Sequence, residues 1–492
     1  MPDVEIKETI DSLLKLVSLY APKTDLELVR LAYDFAFDAH KDQIRKTGEP
    51  YIEHPLAVAH ILAEMRIDPV IVTAALLHDV PEDTEVTLEE IEKNFGSEIA
   101  GLIAGITKLG KLKYRGVERY IENLRKMFVA MAEDVRVIII KFADRIHNLQ
   151  TLDALPPQKQ YRIALESLEI YAPIANRLGM DEMKSQLEDL SFRYVYPKEY
   201  QRIKNLRDEK IKGMECYLPE IINKATNEFK KAGITINEIY GRNKCLYSFY
   251  RKLTRKNNDA NSVYDLVAVR IIVPTVADCY ATLGILHNIW KPVKGRIKDY
   301  ISQPKPNGYR SLHTTVFSET GKIVEFQIRT EKFNDEAQFG VAAYWHYDQE
   351  GAHMPRKEVR WITELAELQK DILHKLSDLE EIKVDFLQSR IFVFTPKGDV
   401  IDLPEGAVPV DFAYHIHTDI GNKCTGAKIN EKMVSLDTEL KNGDVIEIIM
   451  DKNRKGPSQD WLKFTKTHTA RSRIKAAQKK SLTGWLRAVL PK

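Results

Sequence analysis

Apolar and polar positions change their rhythm several times along this chain. From the N-terminus to about residue 195, apolar residues recur at helical spacing in DLELVRLAYDFAFDAH, PLAVAHILAEM and DPVIVTAALLHDV, with Pro at first helical positions. No long strand pattern interrupts them, so the spacing predicts a nearly all-helical unit over 1–195. A charged helical stretch follows, KEYQRIKNLRDEKIKGMECYLPEIINKATNEFKKAG, polar on one side and ending at Gly233. It reads as a linker over 196–240. Beyond it, short β-branched segments such as VYDLVAVRIIV and KIVEFQIRT alternate with helical pieces and turns, which predicts an α+β unit with a small sheet over 241–350. A helical connector over 351–389 leads to the strands IFVFTP and GDVIEIIM in a small β-rich module over 390–451, and a basic helical segment fills 452–492.

At 492 residues the chain is too long for one core and suits several domains. Its longest apolar runs, VIVTAALL and VIII, fall far short of the roughly 20 residues a membrane span needs, and MPDVEIKETI lacks the order of a signal segment. A cytoplasmic protein is expected. Cys216, Cys245, Cys279 and Cys424 are widely spaced, so neither a disulfide framework nor a zinc ribbon is indicated. The net charge of +2 conceals an asymmetry: residues 452–492 carry twelve Lys or Arg against one acid, Asp460, and the preceding 451 residues sum to −9. Such a block is commonly a solvated face, but it also gains affinity for RNA phosphates by releasing counterions.

Two sets of residues carry chemistry. In the helical unit, His54, the pair His78-Asp79, and Asp144 are candidate metal ligands. On the helix VRVIIIKFADRIHNLQTL, for which Asp134 is a candidate cap, Asp144, Asn148 and Thr151 share one face by their spacing. His78 and Asp79 can both reach one ion only if their helix ends there, and Pro81, Glu82 and Asp83 support such an ending. Two imidazoles and two carboxylates suit manganese, iron or zinc, whose bound water could attack phosphorus. Glu82 and Asp83 are candidates for positioning that nucleophile or shuttling its proton. Taken singly, each His or Asp is more often a cap or a surface residue; the conjunction points to a site.

In the α+β unit, Glu325, Gln327 and Arg329 alternate with Val324, Phe326 and Ile328, one face polar and the other feeding a core. Asp265 precedes the strand LVAVRIIV and could share magnesium with Glu325 and nucleotide phosphates. Residues 241–256 hold six Lys or Arg and no acid, and 291–310 hold six against Asp299 alone, a density that fits polyphosphate. Tyr309 could stack on a base, with Gly308 allowing a close turn. The plainer alternative is a solvated basic loop or a general RNA-binding patch.

The order His, His-Asp, Asp on helices resembles the HD-domain phosphohydrolases, and LLHDVPEDT with KFADRIHNLQT narrows the likeness to RelA/SpoT homologues. YDLVAVRIIV, RIKDYISQPKPNGYRSLHTTV and EFQIRT resemble the synthetase domain of the same family, and residues 390–450 resemble a TGS domain. The resemblance implies a multidomain chain: an all-α HD-type hydrolase domain, an α+β nucleotidyltransferase-like synthetase domain and a small β-grasp TGS domain. It implies transfer of pyrophosphate from ATP to the 3′-hydroxyl of GDP or GTP, hydrolysis of the (p)ppGpp so made, and a part in the stringent response. Manganese would sit at His54, His78, Asp79 and Asp144, and magnesium at Asp265 and Glu325, with Glu325 the expected base. Arg45, Lys46, Asn148 and Thr151 would hold the guanine nucleotide in the hydrolase. In the synthetase Tyr309 would stack on guanine. Arg242, Lys244, Lys252, Lys298, Lys305 and His313 would meet phosphates, with Arg296, Asn307 and Gln327 also binding nucleotide.

Arg296-Ile297-Lys298-Asp299 is similar to the basic motif of bifunctional members, so both activities are expected. His40, His60 and His147 match no ligand position and are expected to be structural. The TGS resemblance and the basic tail imply contact with uncharged tRNA and the ribosome. Opposed activities in one chain would waste ATP, so the linker helices are expected to couple the sites. A reading from another class is a translation-associated RNA-binding protein with one or both catalytic units inert.

Overall fold

The computed structural model describes residues 8–110, 130–259, 266–341, 343 and 390–489, apart from residues 132, 216, 257, 306, 320, 399, 442, 452 and 455. Asp265 and the expected connector over 351–389 lie outside the described residues. The chain divides into two compact units, residues 1–369 and 370–492, each described by itself. No described helix is long and apolar enough to cross a membrane.

The first part of the larger unit is helical. Helices α1 (Glu53–Glu64) and α2 (Pro69–Leu77) run through its centre, and α2 is apolar all round because neighbours cover every side. Asp68 accepts the Val70 N–H at 2.7 Å, Pro69 opens the helix without a wasted donor, and the helix stops at His78. Helix α3 (Arg136–Gln150) buries Val137 to Ile140 on its way to Asp144, and Asp134 accepts the Arg136 N–H at 2.9 Å just ahead of it. Helix α4 (Asp181–Val195) packs against α3 on one side and against α7 (Leu246–Arg255) on the other.

The segment expected as a linker does not stand apart. It forms α5 (Pro197–Glu215) and α6 (Leu218–Lys231), and α6 sends Ile221, Ala225 and Phe229 into the core of the adjoining sheet. Its polar side faces water, and its apolar stripe gains more from burial than a free spacer could. The sheet has the order β1 (Glu238–Asn243), β2 (Val267–Val273), β5 (Ile323–Thr330), β4 (Leu312–Phe317), β3 (Lys298–Asp299). Only the β2–β5 pair is parallel, and every residue of β2 is buried, as suits a central strand covered on both faces. Val269, Ile271, Val324, Phe326 and Ile328 face the core with α6 and α8 (Val276–Ile289). The register sets Ala268 beside Glu325 and Gln327 beside both Arg270 and His313, which gives the opposite face its polar residues.

Where the helical part meets the sheet, two glycines allow backbone contact. Gly340 has φ 57°, and a Cβ there would lie 2.1 Å from the Leu178 carbonyl oxygen. Gly179 has φ 74° and faces the Asn307 carbonyl. Val341 N–H donates to Leu178 O at 2.9 Å.

The smaller unit holds a three-stranded sheet, β10 (Ile446–Met450), β8 (Cys424–Ile429), β9 (Lys432–Val434), and a hairpin of β6 (Arg390–Phe394) and β7 (Val400–Pro404). A bridge between Phe394 and Val445 ties the two, and helix α9 (Pro409–Ile416) packs Phe412 among Val393, Leu403 and Ile446. The basic segment past residue 451 contains the expected helix, α10 (His468–Val489), but Trp461, Ala470 and Ile474 enter the same core as Val410 and Tyr414. Asp411 pins it there, accepting the N–H groups of Lys466 and Thr467 and the Thr467 hydroxyl at 2.9–3.1 Å.

Gly340→Ala is expected to destabilise the larger unit by roughly 2–3 kcal/mol, since both the dihedral and the space forbid a side chain. A lowered urea midpoint for that unit, with the smaller unit's transition unmoved, is the measurement.

Candidate active sites

In the helical domain the four expected ligands converge. His54 Nε2 lies 3.2 Å from Asp144 Oδ1 and 3.5 Å from Asp79 Oδ2, and His78 Nε2 lies 3.1 Å from Asp79 Oδ1. The break after Leu77 makes this possible: His78 and Asp79 form the joint between α2 and a short helical turn at Val80–Asp83. His78 Nδ1 is 2.7 Å from the Ala75 carbonyl, which only accepts, so that nitrogen carries the proton. Its Nε2 is buried, without a hydrogen-bond partner, and in the neutral ring presents its lone pair toward the cluster. That is the state of a ligating imidazole held by its other nitrogen. The ligand atoms of His54, His78 and Asp144 all fall within 4.8 Å of one another, so the donor set fits a divalent cation.

Charge around this cluster is balanced from below. Burial pushes the Asp144 carboxyl up, but Lys141 Nζ at 2.5 Å and the bond to His54 outweigh it and hold the acid well below the usual carboxylate range. Asn148 donates to Asp144 at 2.5 Å, and Arg45 donates to Asn148 at 3.2 Å. Thr151 caps α3 and donates to the His147 carbonyl. Lys46, Glu82 and Asp83 are exposed. Partial burial raises the Glu82 carboxyl, with Lys141 opposing and Asp79 and Asp83 reinforcing. The Tyr51 hydroxyl stands 2.7 Å from Asp83 and 3.0 Å from Asp79, joining a ligand to a proton-shuttle candidate.

Three residues here escaped the sequence reading. His147, expected to be structural, places Nδ1 2.7 Å from His54 Nδ1, and burial followed by the His54 and Arg45 charges holds it down to about 3, so its ring is neutral. Lys141 and His147 flank Asp144 at i−3 and i+3, a spacing that was legible. Tyr51 gave no such signal. His40 stacks on Tyr51, and His60 bonds to Ser12 and the Thr9 carbonyl.

The second site is a cleft of 330 Å³ on the polar face of the five-stranded sheet. Arg242, Lys244, Lys252, Arg296, Lys298 and Lys305 line it. Asn307, Tyr309, His313, Glu325 and Gln327 complete the expected set, Asp265 excepted as outside the described residues. Glu325 Oε1 accepts from Gln327 Nε2 at 3.1 Å and lies 3.1 Å from His313 Nδ1. The Tyr309 hydroxyl meets His313 Nε2 at 2.7 Å and Arg329 Nη2 at 2.9 Å, while Lys305 Nζ sits 4.5 Å from its ring centre. Burial pushes the Lys305 ammonium down, and burial brings the Arg329 guanidinium down to about 10.

Arg329, Asp181 and Lys184 were not expected at this cleft. Arg329 is the largest fully buried side chain of the protein's described residues, and its place in the polar alternation was readable although its contact was not. Asp181 and Lys184 come from α4, far away in sequence, and no local pattern announces them.

Three family models match stretches of this chain. An HD domain model matches residues 32–181, a region found in RelA/SpoT proteins matches 241–352, and a TGS domain matches 391–450. The chain is 45% identical over 465 residues to a GTP pyrophosphokinase of Myxococcus xanthus, covering 93% of this chain and 61% of that one. It is 46% identical to the guanosine-3′,5′-bis(diphosphate) 3′-pyrophosphohydrolase of Aquifex aeolicus, covering 97% and 68%. With the bifunctional (p)ppGpp synthase/hydrolase SpoT of Escherichia coli K12 the identity is 43%, covering 94% and 66%. The chain thus spans about two thirds of these relatives' length, and it belongs to the RelA/SpoT family.

Tyr309 offers a direct test of the cleft's electrostatics. Burial would raise its phenol, but Arg329 and His313 overcome this and bring it down to about 8 from the ordinary 10. Tyrosinate absorbance should show a step near pH 8 that Tyr309→Phe removes. The folded state favours the ionised form, so the stabilisation from this group is complete above pH 10 and lost as pH falls through 8.

Proposed function

We propose that this protein makes and degrades (p)ppGpp: the cleft transfers pyrophosphate from ATP to the 3′-hydroxyl of GDP or GTP, and the helical site hydrolyses the product. The observation that carries the reading is two separate constellations in one chain: His54, His78 and Asp144 converging with Asp79 beside them, and a cation-lined cleft with Glu325 on its sheet.

In the hydrolase, His54, His78, Asp79 and Asp144 would hold manganese, which when bound supplies an activated water and neutralises phosphoryl charge. Arg45 and Asn148, joined to each other beside Asp144, are placed to hold the nucleotide, with Lys46 and Thr151 near them in the chain. Tyr51 and Asp83 give a proton a route away from Asp79, and Glu82 stands ready beside them.

In the synthetase, magnesium would be held by Glu325 and Asp265 and supplies charge neutralisation on the phosphates. Glu325 also accepts the 3′-hydroxyl proton, with His313 and Gln327 orienting its carboxylate. Lys305 and Arg329 beside the Tyr309 ring make it a place for a purine to stack next to fixed positive charge. The remaining Lys and Arg residues bind polyphosphate. Such nucleotides assign the work to the cytoplasm, and the TGS domain with its basic extension is assigned to tRNA and the ribosome. Coupling between the sites runs through α4, which packs on the Asp144 helix and reaches the cleft, rather than through α5 and α6 alone.

Asp79→Ala should cut ppGpp hydrolysis more than about a hundredfold and spare synthesis. Glu325→Gln should do the reverse. Product chromatography after incubation with ATP plus GDP, then with ppGpp plus manganese, measures both. If neither substitution alters guanine nucleotide turnover, the RNA-binding alternative replaces this reading.

A further inference from the structure

A cleft built to attract polyphosphate contains a carboxylate that the reaction does not call for. Of the two acids lining it among the described residues, Glu325 belongs to the sheet and to the proposed chemistry. The other, Asp181, is the first residue of α4 and belongs to the helical domain. Its Oδ2 accepts from Arg242 Nη2 at 3.2 Å, and its Oδ1 accepts from Lys184 Nζ at 3.3 Å. It therefore engages two of the cations that face the cleft.

Its position is fixed by backbone. Residues 178–180, immediately before it, lie against Gly340, where even one added carbon would collide with Leu178 and Gly179. The Asn307 side chain donates to the Asn176 carbonyl at 3.4 Å on the same turn. The start of α4 cannot withdraw without breaking these contacts, but the Asp181 side chain can release Arg242 by a rotamer change. Without the acid, Arg242 and Lys184 would each lose an ion-pair partner while still lining a cleft rich in Lys and Arg.

We propose that Asp181 is a built-in competitor for the nucleotide: a carboxylate from the helical domain that occupies Arg242 and Lys184 in the empty cleft and yields them to the phosphates on binding. It is a positioning residue that sets the cleft's affinity. It stabilises the nucleotide-free protein and weakens ATP binding by the same pairing. The inference rests on the nucleotide reading of the cleft.

The test is calorimetric titration of ATP with magnesium into the full chain and its variants. Asp181→Asn keeps the hydrogen-bonding shape and removes the charge. It should tighten ATP binding roughly two- to fivefold, the worth of one partly exposed ion pair that binding no longer has to break. In steady state KM for ATP should fall with kcat little changed. The nucleotide-free protein should melt earlier, and the gain in melting temperature on adding ATP should be larger. Asp181→Glu, which restores the charge, should return Kd toward the original. Combined with Arg242→Gln, Asp181→Asn should lose most of its effect, because the released guanidinium is then missing.

Unchanged or weaker ATP binding by Asp181→Asn, with normal binding by the unaltered protein, overturns the inference and leaves the nucleotide reading standing. An unaltered protein that binds no ATP overturns both. A variant that tightens ATP binding equally with and without Arg242 also overturns the inference, since the pairing would then not be its cause.

Discussion

Two carboxylates and two imidazoles crowd around one point in the helical domain, and a ring of ammonium and guanidinium groups crowds around another on the sheet. Gathering charge of one sign in a confined space is unfavourable unless something opposes it, and each site carries its own opposition. Lys141 lies under Asp144, and Tyr51 donates toward Asp79 and Asp83. Asp181 answers Arg242 and Lys184. In each case the compensating group comes from the scaffold itself, so each site carries its counter-charge with it.

The scaffold can do this because its elements are shared. Helix α3 buries an aliphatic run and delivers Asp144 and Asn148 from its next turns. Helix α4 begins at the cation-lined cleft with Asp181, and near its middle Asp189 accepts the N–H groups of Leu246 and Tyr247, capping α7 from another element. That helix carries Lys252. One helix of the N-terminal part therefore holds both an acid of the cleft and the end of a cation-bearing helix.

The chemical inventory was legible in the chain because it is local. The stop after His78 is written in Pro81 and the acids behind it; the polar face of β5 is written in its period-two alternation. The convergence of the candidate metal ligands was inferred from their order and types, and the helix geometry at Asp144 carried one face of it. What surrounded these residues was not legible. His147 became a neighbour of His54 only through the packing of α3 beside α1, and Lys184 reached the cleft only through the Gly179–Gly340 contact. The stretch expected as a helical linker is helical, but its packing was not legible: an amphipathic helix shows its polar side equally well whether its apolar stripe is bare or, as in α6, buried against a sheet.

The sequence by itself determined the succession of helical, mixed and β-rich parts and the candidate residues for metal and phosphate, since periodicity and side-chain type act over a few positions. Tertiary structure alone decided which distant groups meet. Asp181 faces Arg242, Tyr51 links Asp79 to Asp83, and Asp411 anchors the segment at Lys466 and Thr467. Such pairings depend on how buried surfaces fit together, a property of the whole packed core that no short stretch of chain contains.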